Sequence, residues 1–191
     1  MLMLKSPSLV INSHDVPWPR YRMWETVNAS PRMNAEGCVR EIIRVNRLAP
    51  EYERTPLQNV VINCHGADAG GALYIGGEDE QYWPYRINDD SVHAFALLRG
   101  RNIGTIWLVA CQAAAGYFGK KLCQSIASLS GSQVVAADED QEVGIWGGLR
   151  IIQGGGRGQI DEFEGKIFSF VPIGGPPREI DPHEDIYTIL E

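Results

Sequence analysis

The chain has 191 residues, 44% of them hydrophobic and 21% charged, which is the balance of an ordinary globular domain. This composition excludes a disordered, collagenous or coiled-coil protein. The 24 acidic and 17 basic residues leave a net charge of −7, so neither nucleic acid nor an anionic membrane is an expected partner.

Proline and aromatic residues dominate the start of the chain, and proline at that density breaks regular structure. We therefore expect residues 1–33 to form an irregular arm that packs on the domain, with a partly ordered leader as the alternative. The main domain is expected over residues 34–171, and residues 172–191 are expected to form a short C-terminal extension.

Hydrophobic periodicity predicts alternating strands and helices through the main domain. Apolar strands separated by helices are typical of an α/β fold, here a mostly parallel central sheet with helices on both faces. The predicted helices cover residues 35–47, 92–98 and 116–129. The predicted strands cover residues 57–63, 72–75, 105–110, 133–137, 149–152 and 166–171.

Two of these strands end in residues that carry chemistry. Residues 57–63 lead into Cys64, His65 and Gly66, and residues 105–110 lead into Cys111. Because the carboxyl ends of parallel strands meet at one edge of a sheet, His65 and Cys111 are expected to share that edge if their strands are neighbours. Alternation along the strand directs Cys64 to the opposite face, into the core.

A thiol beside an imidazole is sufficient for nucleophilic catalysis, since the imidazole can take the thiol proton. Gly66 has no side chain, so its backbone N–H can approach a substrate carbonyl closely. The N–H groups of Gly66 and Cys111 are therefore the expected donors of an oxyanion hole. The helix that follows Cys111 would favour its thiolate form.

A strand ending in His65-Gly66, followed by a strand ending in Ala110-Cys111, resembles the caspase–hemoglobinase group of cysteine peptidases, clan CD. The resemblance covers about residues 57–171 and is closest to the self-cleaving domains of large bacterial toxins. It implies a three-layer caspase-like fold and a protein or peptide substrate. It also implies Cys111 as nucleophile, His65 as general base and acid, and Gly66 as an oxyanion donor, with no metal or organic cofactor.

Asp138 is a candidate substrate-binding residue. It follows the strand 133–137 at the same edge of the sheet. In relatives specific for arginine or lysine, an acidic residue near this edge receives the basic side chain of the substrate. The alternative is a solvated acidic loop over residues 138–140.

Two other functions fit the same residues. A Cys-His pair can also deamidate or transamidate a side-chain amide, as effector enzymes do. A caspase-like module without catalysis could instead bind a protein partner.

The four cysteines, at positions 38, 64, 111 and 123, lack the spacing of a zinc site. We expect them to be thiols in a reducing compartment. No apolar run approaches the roughly 20 residues of a membrane span, and no secretory signal is recognised at the N-terminus. A cytoplasmic location is therefore expected, with signal-independent export as the alternative.

Overall fold

A seven-stranded sheet forms the centre of the computed structural model, which describes residues 2–16, 20–68, 70–77, 79–141, 145–146, 149–150, 158–161, 163–181 and 183. Within these residues the chain is a mixed α/β protein, as the sequence predicts. The helices are α1 (Ala35–Glu53), α2 (Gly116–Ser130) and two 3₁₀ helices, Glu80–Tyr85 and Val92–Leu98. The strands are β1 (Leu2–Met3), β2 (Ser8–Asn12), β3 (Glu25–Asn28), β4 (Asn59–Asn63), β5 (His65–Gly66), β6 (Ala72–Tyr74), β7 (Ile87–Asn88), β8 (Thr105–Val109), β9 (Gln133–Ala137), β10 (Ile145–Trp146), β11 (Leu149–Arg150), β12 (Gln159–Ile160), β13 (Ile167–Phe170) and β14 (Arg178–Glu179).

The strand order of the large sheet is β14-β13-β9-β8-β4-β2-β3. The five strands from β9 to β3 run parallel, while β13 and β14 are antiparallel to their neighbours. The predicted neighbours β4 and β8 are therefore paired directly, with Asn59 opposite Thr105 and Asn63 opposite Val109. The expectation of a mostly parallel sheet is confirmed.

Two strands of this sheet, β2 and β3, come from the first 33 residues, so the expectation of an irregular arm in this segment is wrong. All five residues of β2 are buried, and β2 lies between β3 and β4. The short run Leu9-Val10-Ile11 is apolar and partly β-branched, which suits a fully buried parallel strand. Its proline-rich surroundings obscure this pattern in the sequence.

The helices described by the structure cover one face of the sheet. Side chains of α1, α2 and the 3₁₀ helix Val92–Leu98 join alternate strand residues in one hydrophobic cluster, exemplified by Ile42, Phe95 and Ile126. The opposite strand residues form a second cluster with non-helical segments; its members include Tyr21, Trp107 and Phe163. In the described residues, helices on both faces are therefore not found, and loops and short strands cover the second face.

Two predicted helices differ from their expected form. Asn34 caps α1 as predicted, accepting a hydrogen bond from the N–H of Gly37 at 2.9 Å, but α1 continues through Pro50 to Glu53. Proline near a helix end removes only one backbone hydrogen bond. The segment 92–98 is a 3₁₀ helix because its buried residues, Val92, Phe95 and Leu98, recur every third position.

A small antiparallel sheet, β5-β6-β7, follows the end of β4 and begins at His65. At the other edge of the large sheet, β14 from the predicted C-terminal extension pairs with β13. Of the predicted strand 149–152, residues 151–152 lie outside the described residues. No helix among the described residues has both the length and the apolar character needed to cross a membrane.

Candidate active site

The carboxyl ends of three adjacent parallel strands supply the polar residues of the site. β2 leads to Asp15, β4 leads to His65, and β8 leads to Cys111. These three residues come from segments about fifty positions apart in sequence, and the sheet topology alone brings their strands together.

His65 and Cys111 each lie two residues beyond the last residue of β4 and of β8. The register pairs Val61 with Trp107 and Asn63 with Val109, and the amide of Cys64 extends the ladder by donating to the carbonyl of Val109 at 3.2 Å. Val61 and Trp107 face the second cluster, and side chains of alternate residues share a face. Two positions beyond Asn63 and Val109, His65 and Cys111 follow the same edge of the sheet, and continued alternation predicts this face for both side chains.

Gly66 is in direct contact with the backbone of Cys111. A Cβ atom built on Gly66 would lie 1.8 Å from the carbonyl oxygen of Cys111 and 2.9 Å from its carbonyl carbon. No side chain fits in that space, so glycine is required for close packing of the two strand ends. This is a packing reason for the glycine, beyond the catalytic reason inferred from the sequence.

The amide of Gly66 is directed away from the small sheet. Gly66 faces Leu73 of β6, while the next residue, Ala67, donates to the carbonyl of Ala72 at 3.0 Å. Antiparallel pairs alternate between hydrogen-bonded and non-hydrogen-bonded, which makes Gly66–Leu73 the non-bonded kind. The N–H of Gly66 therefore points to the side of β5 away from β6.

The chain turns sharply after Cys111. Gln112 has a φ of 52°, in the left-handed region that costs a non-glycine residue about 1 kcal/mol. The N–H of Gln112 donates to the backbone carbonyl of Glu139 at 2.9 Å, and the N–H of Ala114 donates to the backbone carbonyl of Ala137 at 2.8 Å. The N–H of Cys111 itself donates no hydrogen bond to any residue that the structure describes.

The sulfur of Cys111 contacts the backbone of a neighbouring loop. The N–H of Gln141 donates to Sγ at 3.4 Å, and Sγ lies 3.9 Å from the carbonyl oxygen of the same residue. The Gln141 side chain is anchored by the carbonyl oxygens of Glu139 and Glu164 at 3.1 and 3.3 Å. The sulfur of Cys111 is therefore held against the backbone of Gln141.

Asp15 is a site residue that sequence reasoning missed. Its Oδ1 lies 3.8 Å from Nε2 of His65, and both side chains are about one-quarter exposed, at 26% and 25%. The hydroxyl of Ser13 donates to the same oxygen at 2.6 Å and fixes the carboxylate. The apolar run of β2 could have indicated Asp15 from the sequence. Residues that follow the carboxyl end of a parallel strand are candidates for a site, and Asp15 follows β2.

Buried polar residues support this end of the sheet. The Asn63 amide donates to Oδ1 of Asn12 at 2.8 Å, and the Asn12 amide donates to the carbonyl of Tyr21 at 3.1 Å. Asn12 and Ser13 are fully buried, and the N–H of Ser13 donates to the carbonyl of Asn63 at 2.8 Å. These bonds hold the ends of β2 and β4 together directly below Asp15 and His65.

Asp138 lies at the predicted edge, but its carboxylate is already engaged. Its Oδ1 accepts a hydrogen bond from the N–H of Lys166 at 2.9 Å, which extends the pairing of β9 with β13. Asp140 instead contacts the residue next to Cys111, accepting a hydrogen bond from the Gln112 side chain at 3.0 Å. A substrate-binding role for Asp138 stays a prediction, with one oxygen held by the protein.

The remaining cysteines are buried in the first cluster, as the alternation of β4 predicts for Cys64. Burial raises the pKa of the Cys38 thiol to about 12 and also raises the pKa values of Cys64 and Cys123. Cys111 is the partly exposed member of the four. At neutral pH, the three buried groups are therefore thiols rather than nucleophilic thiolates.

No group of three or more His, Cys, Asp or Glu residues in the described part of the chain could hold a metal ion. In comparisons with known proteins, the sequence matches no family model and no curated protein.

Proposed function

We propose that this chain is a cysteine endopeptidase of caspase-like fold, with Cys111 as nucleophile and His65 as general base and acid. One observation carries the proposal: β4 and β8 are adjacent, parallel and in register, and each leads within two residues to one member of the pair. Partial exposure of both residues gives a substrate access to them.

The proposed reaction begins when Sγ of Cys111 attacks the scissile carbonyl carbon and His65 takes the thiol proton. The carbon–nitrogen bond then breaks, and His65 gives that proton to the leaving amine. Water attacks the resulting thioester with His65 as base, which releases the new carboxyl group and restores the thiol. No external oxidant or reductant is needed.

Two backbone amides support an oxyanion hole. The N–H of Cys111 has no acceptor among the described residues, and the N–H of Gly66 points away from β6. Gly66 also contacts the Cys111 backbone, so both donors belong to one region of the site. Preorganised donors of this kind stabilise the charge that develops on the carbonyl oxygen.

Asp15 completes the proposed machinery as a positioning residue. A carboxylate 3.8 Å from Nε2 of His65 stabilises the imidazolium that forms when the thiol proton is taken. The bond from Ser13 keeps the carboxylate in place. The proposed catalytic pair therefore becomes a set of three residues, Asp15, His65 and Cys111, which follow the carboxyl ends of β2, β4 and β8.

The substrate is proposed to be a protein or peptide. Asp138 remains the candidate for binding a basic side chain of the substrate residue that precedes the cleaved bond. Replacing Asp138 with alanine should then reduce cleavage after arginine or lysine. An unchanged preference would remove Asp138 from the site. Four unpaired cysteines also suit a reducing, cytoplasmic environment.

Selective alkylation tests the proposal. At pH 7, iodoacetamide should modify Cys111 first, and His65→Ala should slow this modification strongly. His93→Ala is the matched control, because His93 is an exposed histidine on the 3₁₀ helix Val92–Leu98. Equal slowing in both variants, or no slowing in His65→Ala, would contradict the dyad.

Mass spectrometry of protein mixtures incubated with the enzyme then identifies the reaction. New peptide termini that disappear with Cys111→Ala support the peptidase. A mass increase of about one unit on glutamine residues, without new termini, would indicate deamidation instead. A reactive Cys111 without any product would favour a binding module.

A further inference from the structure

We propose that a pocket beside the active site binds an acidic side chain of the substrate through Arg86. The pocket has a volume of about 290 Å³ and lies between the small sheet and the first turn of α2. Arg86, Tyr74 and Phe118 contribute its larger side chains, while Ala67, Gly70 and Gly71 form an open wall. This inference deepens the proposed function and depends on it for the nature of the ligand.

Arg86 is the basic residue in the lining of the pocket. It is half-buried, and no carboxylate that the structure describes lies within ion-pair distance of its guanidinium. No described carboxylate therefore competes with a ligand for this guanidinium. Its planar set of donors matches the two oxygens of a carboxylate.

The other charges at the pocket compensate one another. Asp89 also lines it, but its carboxylate is paired with the ammonium group of Lys121. The exposed Lys121–Asp89 pair contributes no net charge, so Arg86 gives the pocket its positive character. This is notable in a chain whose net charge is −7.

The size and walls of the pocket suit one side chain. A volume of about 290 Å³ is at the lower limit of ligand pockets, which hold small groups rather than extended chains. Phe118 is 64% exposed, and its Cβ would lie 3.0 Å from a Cβ on Gly71. The exposed ring and Tyr74 offer apolar surface for the methylene groups of a glutamate.

The position of the pocket makes it part of a substrate path. Ala67, at its wall, directly follows Gly66, which contacts Cys111. The pocket borders the first turn of α2 through Phe118, and Cys111 lies five residues before the start of that helix. A peptide held at the dyad would cross the edge at Gly66 and reach Arg86 with a residue beyond the reacting one.

NMR of the Arg86 side chain tests the pocket without any catalysis. The Nε–H resonance of Arg86, assigned by its loss in Arg86→Lys, is followed during titration with N-acetyl-glutamate amide. N-acetyl-glutamine amide is the control, since it has the same shape without charge. We expect a saturable shift with the glutamate probe that weakens as salt rises, and at most a small shift with glutamine.

Three outcomes of this titration would overturn the inference: no shift, equal shifts with both probes, or tighter binding of inorganic phosphate than of the glutamate probe. The last would identify a general anion site. These outcomes do not depend on turnover, so the pocket and the proposed peptidase activity can fail separately.

Cleavage profiling supplies the second measurement. If a peptide library is cleaved, we expect acidic residues to be enriched at one fixed position from the cut. The comparison is between peptides with glutamate and peptides with glutamine at that position. The ratio of their kcat/KM values should fall about tenfold or more in Arg86→Ala, because this variant loses one charge-assisted pair with the glutamate. Cleavage with no acidic enrichment would refute the pocket and leave the peptidase intact.

Discussion

Replacing Gly66 with alanine should separate the two halves of the active site. The new Cβ would lie 1.8 Å from the carbonyl oxygen of Cys111, and an ordinary contact begins at 3.4 Å. The strand ends must therefore move apart by about 1.6 Å, which displaces His65 relative to Cys111. Misplacement of reacting groups by about 1 Å costs on the order of 100-fold in rate, so the loss should be at least that large.

A second glycine provides a matched control at the opposite end of the same strands. A Cβ on Gly104 would lie 2.2 Å from the carbonyl oxygen of Gln58, so Gly104→Ala carries a comparable clash far from the site. Both variants overpack a strand end, which costs about 1–3 kcal/mol of unfolding free energy. Only Gly66→Ala should also lose the reactivity of Cys111.

The assay compares the rate of Cys111 alkylation at pH 7 and, once a substrate is known, kcat/KM for cleavage. Unfolding free energies from urea titration show that both variants are folded under the assay conditions. If Gly66→Ala reacts at the wild-type rate, or if the two variants lose reactivity equally, the contact between Gly66 and Cys111 has no role in catalysis.

Three further predictions follow from the site and the core. Asp15→Asn keeps the size of the side chain but removes a charge 3.8 Å from His65, so alkylation of Cys111 should slow about tenfold, the effect of about 1 kcal/mol or slightly more. Gln141→Pro removes the N–H that donates to the sulfur at 3.4 Å and should slow the same reaction, whereas Gln141→Ala keeps that N–H and should react normally. Burial raises the pKa of the Cys38 thiol to about 12. Its contribution to the free energy of unfolding is therefore complete below the unfolded thiol pKa of about 8.5 and is lost as pH rises towards 12, on the order of 1 kcal/mol per pH unit. Urea titrations between about pH 9 and 11 should show that the free energy of unfolding falls less steeply with pH in Cys38→Ala than in the wild type.

Each of these predictions has a clear contrary result. Equal rates for Asp15→Asn and wild type would make Asp15 a structural residue only. Equal slowing by both Gln141 variants would assign the effect to the glutamine side chain rather than to its N–H. An unchanged pH slope in Cys38→Ala would show that the alkaline loss of stability comes from other groups, such as Tyr21, whose pKa burial also raises.

The sequence predicts the core of the sheet well, since its strands are long enough and apolar enough to be recognised. Residues 133–137 form β9 as predicted, and β4 and β8 differ from prediction only at their ends. The edge shared by His65 and Cys111 then follows from topology, because parallel neighbours must present their carboxyl ends together.

The parts that could not be predicted depend on contacts between distant segments. β2 has only five residues and lies in a proline-rich segment of the sequence. Its pairing with β3 and β4 identifies it as a strand, and this pairing is not visible in the sequence. Asp15 was missed with it. The location of the described helices on one face of the sheet could not be predicted either, since hydrophobic periodicity indicates that a helix has a buried side but not which face of the sheet that side covers.

The placement of β2 has a consequence for any shortened version of this protein. A clone beginning at residue 34 would remove the strand that pairs with β4 and would leave the backbone groups of β4 exposed along a long apolar edge, which favours aggregation. The same truncation would delete the carboxylate beside His65. The sheet and the proposed site therefore both depend on the opening residues, and a shortened version of the protein must retain them.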